Sequence, residues 1–239
     1  MKTLLISLFI LINQTLIIAQ TNSKTIDICS DINVIEISKN VYVHVSYSVF
    51  PKFGRFPSNG VIYIKNGKAF LFDTPANDSL TKILVSWLTD SMKVRIIGFI
   101  PNHWHTDCMG GLKYLQSLEI PSYANQKTID IAKTKNLPIP IRGFTDSLSI
   151  PFEQNIIKCY FLGAGHSEDN IVIYLPSENI LFAGCMVKDI YAKGLGNTED
   201  ANLTDWPKTI DNVIAKFPNA KVVIPGHGEF GGLELLHHT

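Results

Sequence analysis

The chain reads as an α/β protein in four layers: two similar halves whose sheets pack face to face, with helices on the two outer surfaces, an αβ/βα sandwich. Three observations lead there. The elements run as strands then helices, and then as strands and helices a second time. Several strands are near-continuous apolar runs, as expected of strands covered on both faces. Finally, metal-capable side chains recur just after strand ends, where open α/β sheets commonly hold ligands.

The elements follow in order. Val34–Ile37 and Val41–Tyr47 read as strands, the second with clear alternation, and His44 on that pattern reads as structural. Residues 49–60 carry three phenylalanines, two basic residues and two glycines, and read as a loop. Its phenylalanines either stay exposed over a site or tuck into the core. Gly60–Lys65 and Ala69–Phe72 form a hairpin about Asn66-Gly67, a favoured pair for a tight primed turn. Asp73 ends that run as either a support beneath a site or a turn and helix-cap residue. Leu80, Ile83, Leu84, Trp87 and Leu88 make an amphipathic stripe. A buried strand over Val94–Ile100 follows, then a helix over 111–118, a short strand over 121–124 and a helix over 128–135. In the second half, strands are expected over 148–151, 156–162, 171–175 and 179–182. A helix over 204–217 with Pro207 in its first turn and a strand over 221–224 close the series.

Composition sets limits. With 239 residues, 46% of them hydrophobic, the chain can bury one sizeable core. Basic and acidic residues balance at 21 each, so no nucleic-acid partner is expected. Residues 1–19 have a lysine, an apolar run broken by Asn13-Gln14, and Ala19 at the end; they read as a secretory signal peptide rather than a membrane span. No cysteine follows directly, so no lipid anchor is expected, and residues 20–239 are read as one domain. Four cysteines, Cys29, Cys108, Cys159 and Cys185, are too few for a disulfide scaffold in a chain this long.

The chemistry lies in the strand ends. His103, His105 and Asp107 alternate along one segment, and on an extended backbone alternate side chains share a face. By the same alternation Cys108 points away from them. His166 follows Gly163-Ala164-Gly165, Cys185 follows Ala183-Gly184, and His227 follows Pro225-Gly226. Singly, each is as easily a structural residue, and Cys185 has a disulfide as its alternative use; together, six donors at four strand ends point to metal.

The segments Asn102-His103-Trp104-His105-Thr106-Asp107, Gly163–Asn170, Gly184-Cys185-Met186-Val187-Lys188, Gly194–Asn197 and Pro225–Gly228 resemble those of the metallo-β-lactamases, in the di-zinc subclass one. The resemblance covers nearly all of the chain beyond residue 19 and includes Asp73-Thr74-Pro75. It implies the four-layer fold of that family and two Zn²⁺ per chain, one held by His103, His105 and His166 and the other by Asp107, Cys185 and His227. It further implies hydrolysis of the β-lactam ring, carbapenems included, by metal-bound hydroxide without a covalent intermediate. Asp107 would orient the hydroxide, Lys188 would pair with the substrate carboxylate, and Asn197 would donate to the carbonyl oxygen. A periplasmic monomer conferring antibiotic resistance is the corresponding setting. Two departures stand out: residues 49–58 carry Phe where relatives often carry Trp, and the sequence stops at Thr239, either because it is cut short or because the final helix is short.

Two other readings compete. Thioesterases, lactonases and phosphodiesterases of the same scaffold place a His after the motif Asp and a bridging carboxylate at the position of Cys185; Cys108 and Cys185 argue against them. A zinc-binding protein without activity would leave Lys188 and Asn197 unexplained. A shortened final helix would bury less apolar area, so a chain extended at that end is expected to melt at a higher temperature; equal melting points would refute this.

Overall fold

The computed structural model describes residues 24–239. The expected signal peptide therefore lies outside the described residues. Strands β1 (Thr25–Cys29), β2 (Ile32–Ser38), β3 (Val41–Phe50), β4 (Gly54–Lys65), β5 (Lys68–Phe72) and β6 (Arg95–Ile100) form one sheet in sequence order. All its neighbours are antiparallel except β5 and β6, which α1 (Asp78–Ser86) and its π-helical extension Trp87–Ser91 connect in parallel. The second sheet runs β13-β12-β11-β10-β9, from β9 (Ser147–Phe152), β10 (Asn155–Tyr160), β11 (Val172–Leu175), β12 (Ile180–Gly184) and β13 (Val222–Pro225). Here β12 and β13 are the parallel pair, crossed over by α5 (Trp206–Lys216).

The layers follow from alternation. In β5, Phe70 and Phe72 face the second sheet while Ala69 and Leu71 face helices; in β12, Ile180 and Phe182 face inward while Leu181 and Ala183 face outward. The interior cluster thus joins Val41, Val61, Tyr63 and Phe72 to Phe152, Ile157, Ile173 and Ile224. Outside the first sheet, Ile62, Leu71 and Phe99 pack on Leu84 of α1, on Leu112 and Leu115 of α3 (Leu112–Ser117) and on Ala132 of α4 (Gln126–Thr134). Outside the second, Leu181 and Val223 pack on Trp206, Ile210 and Val213 of α5 and on Leu235 and Leu236 of α6 (Glu234–His238). The four-layer sandwich expected from the sequence is the one observed.

Some local expectations need correction. Residues 49–60 are not a loop: β3 and β4 extend through them as a long hairpin turning at Pro51–Phe53. Nor is the metal-capable segment extended throughout, because Thr106–Met109 form a helical turn, α2. Strand β1 and the parallel pair β7 (Tyr123–Asn125) with β8 (Arg142–Phe144) complete the fold. As the hairpin signal predicts, Asn66 and Gly67 both have positive φ, 49° and 70°. All four cysteines are free thiols.

Phe152 holds the sheets together most visibly, with Tyr63 and Phe70 rings edge-on at 5.1 and 5.2 Å. Phe152→Ala is expected to cost about 3–5 kcal/mol of unfolding free energy through the cavity it leaves. Urea denaturation measures this, and a loss below about 1 kcal/mol would mean that the sheets are held mainly by other contacts.

Candidate metal centre

The loop after β6 is held from below. Asp73, at the end of β5, takes a left-handed backbone (φ 59°) and is fully buried. Its Oδ1 accepts the Asn102 N–H at 2.5 Å, and Asn102 N–H…O geometry thereby fixes the residue before His103. Asn102 Oδ1 lies 3.2 Å from His103 Nδ1, and its Nδ2 donates to the Ile171 carbonyl. The Asp73 carboxyl therefore supports the site, the first of the two uses its position suggested. His44, buried and pushed down by burial to about 4, lies with Nε2 3.3 Å from the Asp73 carbonyl, a structural histidine.

The three imidazoles of His103, His105 and His166 converge, with ring centroids 4.5, 4.8 and 5.0 Å apart. His105 Nδ1 faces His166 Nε2 at 3.1 Å. The opposite nitrogen, His105 Nε2, lies 2.9 Å from the Asp200 carboxylate. A proton on Nε2, donated to Asp200, leaves the Nδ1 lone pair turned inward toward the His166 nitrogen. When the His166 proton sits on Nδ1, which has no protein partner, two lone pairs face each other, an arrangement that a cation between them stabilises. Burial, reinforced by His105 and His166, keeps His103 well below an ordinary histidine; burial, then the Lys188 ammonium, takes His166 down to about 3. Neutral imidazoles are the form that binds metal.

Beside them lies a more anionic set. Asp107 Oδ2 is 3.2 Å from His227 Nε2, while Cys185 Sγ is 3.3 Å from that nitrogen and 3.6 Å from the carboxylate. Tetrahedral zinc with ordinary Zn–N, Zn–O and Zn–S lengths separates its ligand atoms by roughly 3.3–3.6 Å, so this donor set fits the ion. His227 Nδ1 is 2.7 Å from the Pro57 carbonyl, to which it donates, leaving Nε2 for the centre. Burial works against a charge on His227, yet the Cys185 thiolate and the Asp107 carboxylate raise it well above an ordinary histidine. Burial likewise opposes the Asp107 charge, but the His227 hydrogen bond and its charge hold that carboxyl far below the usual range. The Cys108 thiol, and then the His227 charge, lower Cys185 to about 6 against the rise from burial. His103, His166 and Cys185 also bring donor atoms within 4.8 Å of one another, so the two sets form one continuous centre.

Small residues precede the ligands for a steric reason. A Cβ on Gly226 would meet Cys185 Sγ at 2.3 Å, and one on Gly184 would meet the Asn102 amide at the same distance.

The structure therefore brings all six sequence-predicted donors together. It does not place Cys108 as alternation suggested: the helical turn carries its Sγ to 3.2 Å from His103 Nδ1, under the ligands. Cys108 and Cys159 are buried as expected. Lys188 is partly buried, its Nζ donating to the Cys185 carbonyl at 2.8 Å and lying 5.3 Å over the Trp206 ring. Asn197 Oδ1 accepts from the Glu199 N–H at 3.4 Å, which leaves its amide N–H groups free to donate. Asp200 went unnoticed in the sequence, where nothing local marks it.

No family model matches the chain. Individual relatives do. The metallo-β-lactamase type 2 of Bacteroides fragilis is 52% identical over 233 residues, 98% of this chain and 94% of that protein. The Bacillus cereus protein of the same description is 35% identical over 87% of this chain and 81% of its own length. Among solved structures, the metallo-β-lactamase from Pontibacter korlensis superposes with a TM-score of 0.83 at 36% identity, over 87% of this chain and 96% of that one. That from Hirschia baltica gives 0.81 at 33% identity, over 87% and 95%. A two-sheet sandwich with this donor constellation defines a metal-dependent hydrolase of the αβ/βα class. Within that class, the chain belongs to the metallo-β-lactamase family.

Asp200→Asn is expected to weaken zinc binding at the three-histidine set by about 10- to 100-fold, the usual effect of removing a carboxylate behind a ligand histidine. Competition with a chromophoric chelator reads both sites separately. Unchanged affinity in this variant would show that Asp200 does not hold the His105 tautomer.

Proposed function

We propose that His103, His105 and His166 hold one zinc ion and that Asp107, Cys185 and His227 hold the other, in an enzyme that opens the β-lactam ring of antibiotics, carbapenems among them. Family membership makes the protein a zinc-dependent hydrolase of β-lactams, an activity that confers antibiotic resistance. The observation that carries the finer assignment is the pairing of a three-imidazole cluster, in which burial keeps His103 and His166 neutral, with an adjacent anionic Asp–Cys–His cluster in one continuous centre. Zinc in such sites supplies Lewis acidity and a water acidified to a pKa near 7. Imidazole, carboxylate and thiolate together suit that ion.

The chain's own residues supply the rest. Three protein donors per ion leave room for water and substrate. Asp107, ionised throughout the neutral range, accepts a hydrogen bond from the attacking water and orients it. Asn197, with its amide N–H groups free, donates to the carbonyl oxygen as charge develops there, a contribution worth about 3 kcal/mol when well aligned. The Lys188 ammonium, half-buried beside the cluster, turns from the Cys185 carbonyl to the carboxylate that β-lactams carry next to the ring nitrogen. Phe53 and Phe56 on the β3–β4 hairpin, tilted against each other at 6.1 Å, replace a tryptophan as the apolar wall.

The wider setting is part of the same reading: residues 1–19 act as a signal peptide, residues 20–239 form the single domain, and the mature enzyme is a periplasmic monomer with no nucleic-acid partner. No helix among the described residues is long and apolar enough to cross a membrane. The balance of 21 basic and 21 acidic residues supports the absence of a polyanionic partner.

Purified protein is expected to hydrolyse a carbapenem, seen as loss of ring absorbance, to stop with a zinc chelator and to recover with added Zn²⁺. A fully zinc-loaded protein inert on carbapenems, penicillins and cephalosporins would refute the reading. Lys188→Ala is expected to raise KM by about 10-fold or more with a smaller change in kcat, because a charge-assisted contact made before ring opening is lost. An unchanged KM would remove Lys188 from substrate binding.

A further inference from the structure

The two walls of the cleft each rest on a different metal ligand. On one side the β3–β4 hairpin leans on the Asp–Cys–His set, with the Phe56 ring 5.2 Å from that of His227. On the other, the loop 194–200 leans on the three-histidine set through Asp200 and His105. The outer tips of these walls meet: Lys52, in the hairpin turn, forms an ion pair with Glu199, next to Asp200. The circuit from His227 through Phe56, Lys52, Glu199 and Asp200 to His105 therefore links the two ligand sets from outside the centre. Among the described residues, Lys52–Glu199 is the one hydrogen bond or ion pair between residues 50–54 and 194–200.

The hairpin tip has little else to hold it there. Val49 and Phe53 are 78% and 49% exposed, so neither ties the turn to the core. Arg55 anchors only the outer side, pairing with Asp31 and stacking on Tyr47 at 4.0 Å. The side chains of Lys52 and Glu199 are themselves 62% and 64% exposed, so water and salt compete with the pair. A contact of that kind makes a strap that parts under modest force.

We propose that the Lys52–Glu199 ion pair is a strap across the mouth of the cleft and sets substrate specificity by the bulk of the acyl side chain. The proposal rests on the β-lactamase reading above. A β-lactam with a compact acyl group fits beneath the closed strap. One with a bulky acyl group projects through the mouth and must part the pair, so its kcat/KM carries the cost of opening.

The test compares two cephalosporins with the same nucleus, one bearing an acetyl and one a bulky aminothiazole-oxyimino acyl group, on zinc-loaded protein. Glu199→Gln and Lys52→Gln should each raise kcat/KM for the bulky substrate about two- to five-fold, the range an exposed pair supports, with little change for the acetyl compound. Raising NaCl from low to 0.5 M, roughly a Debye length of 4 Å, should do the same to the unmodified protein and not to the single variants. The exchanged pair Lys52→Glu with Glu199→Lys should restore the original ratio. Amide hydrogen exchange over residues 50–56 of the zinc-loaded protein gives a readout independent of hydrolysis and should quicken in Glu199→Gln. An unaltered ratio of the two kcat/KM values, or equal exchange rates, would overturn the strap. Faster exchange with neither cephalosporin hydrolysed would instead overturn the functional reading, and the selectivity with it.

Discussion

The His227 side of the centre depends on how one asparagine joins the two sheets. Asn59 lies in β4 of the first sheet, and its side-chain Nδ2 donates to the carbonyls of Pro225 and Gly228, at 3.0 and 2.9 Å. Its backbone N–H donates to Gly226 at 2.8 Å. These three bonds hold the turn that carries His227 against the strand that carries Pro57, whose carbonyl takes the His227 Nδ1–H. Buried polar groups without such partners cost stability, so the docking must be accurate or the site does not form. The donors come from both halves: His103, His105 and Asp107 follow the first sheet, while His166, Cys185 and His227 belong to the second. Neither half alone holds a complete set.

This dependence explains what was legible in the sequence. Ligand types and positions could be read because the chemistry needs particular side chains, and strand ends are marked by apolar runs closing in small residues. The sandwich could be read because strands followed by helices occur twice along the chain. What escaped notice was set by contacts far apart in sequence. Asn59 meets partners 166 and 169 residues away, and Asp200 meets His105 across 95. A loop Asp next to a Glu carries no local sign of such a role. The helical turn at Thr106–Met109 escaped for a different reason: four residues are too short for periodicity to distinguish helix from strand. That turn also moved Cys108 from the far face to a place beneath His103.

The hairpin shows how tertiary contact overrides local reading. Two prolines, two glycines and a serine-asparagine pair within residues 51–60 signal a loop. Yet β3 and β4 pair continuously from Val41↔Tyr63 to Phe50↔Gly54, because the register fixed in the buried part of the sheet carries outward along the ladder. Only the turn itself, with Gly54 at φ 66°, keeps loop character. A paired ladder that ends in exposed phenylalanines brings Phe56 to His227 without enlarging the core.

The centre also charges the fold for its chemistry. Asp107 and Cys185 are anions held out of water, and the Asp73 carboxyl is fully buried with one oxygen lacking a protein partner. Burying such groups is unfavourable unless positive charge lies close by. In the metal-free protein that charge is the proton on His227, raised by the same two anions. The Lys188 ammonium beside the Cys185 carbonyl adds a second cation, while His103 and His166, kept neutral by burial, add none, so the two anions are balanced by two cations that are themselves partly desolvated. A divalent cation bound only by the folded state places positive charge directly between the donor atoms and stabilises that state by mass action. Metal affinity and folding stability are therefore linked at this centre, and the residues that destabilise the empty fold are the same ones that make it bind zinc.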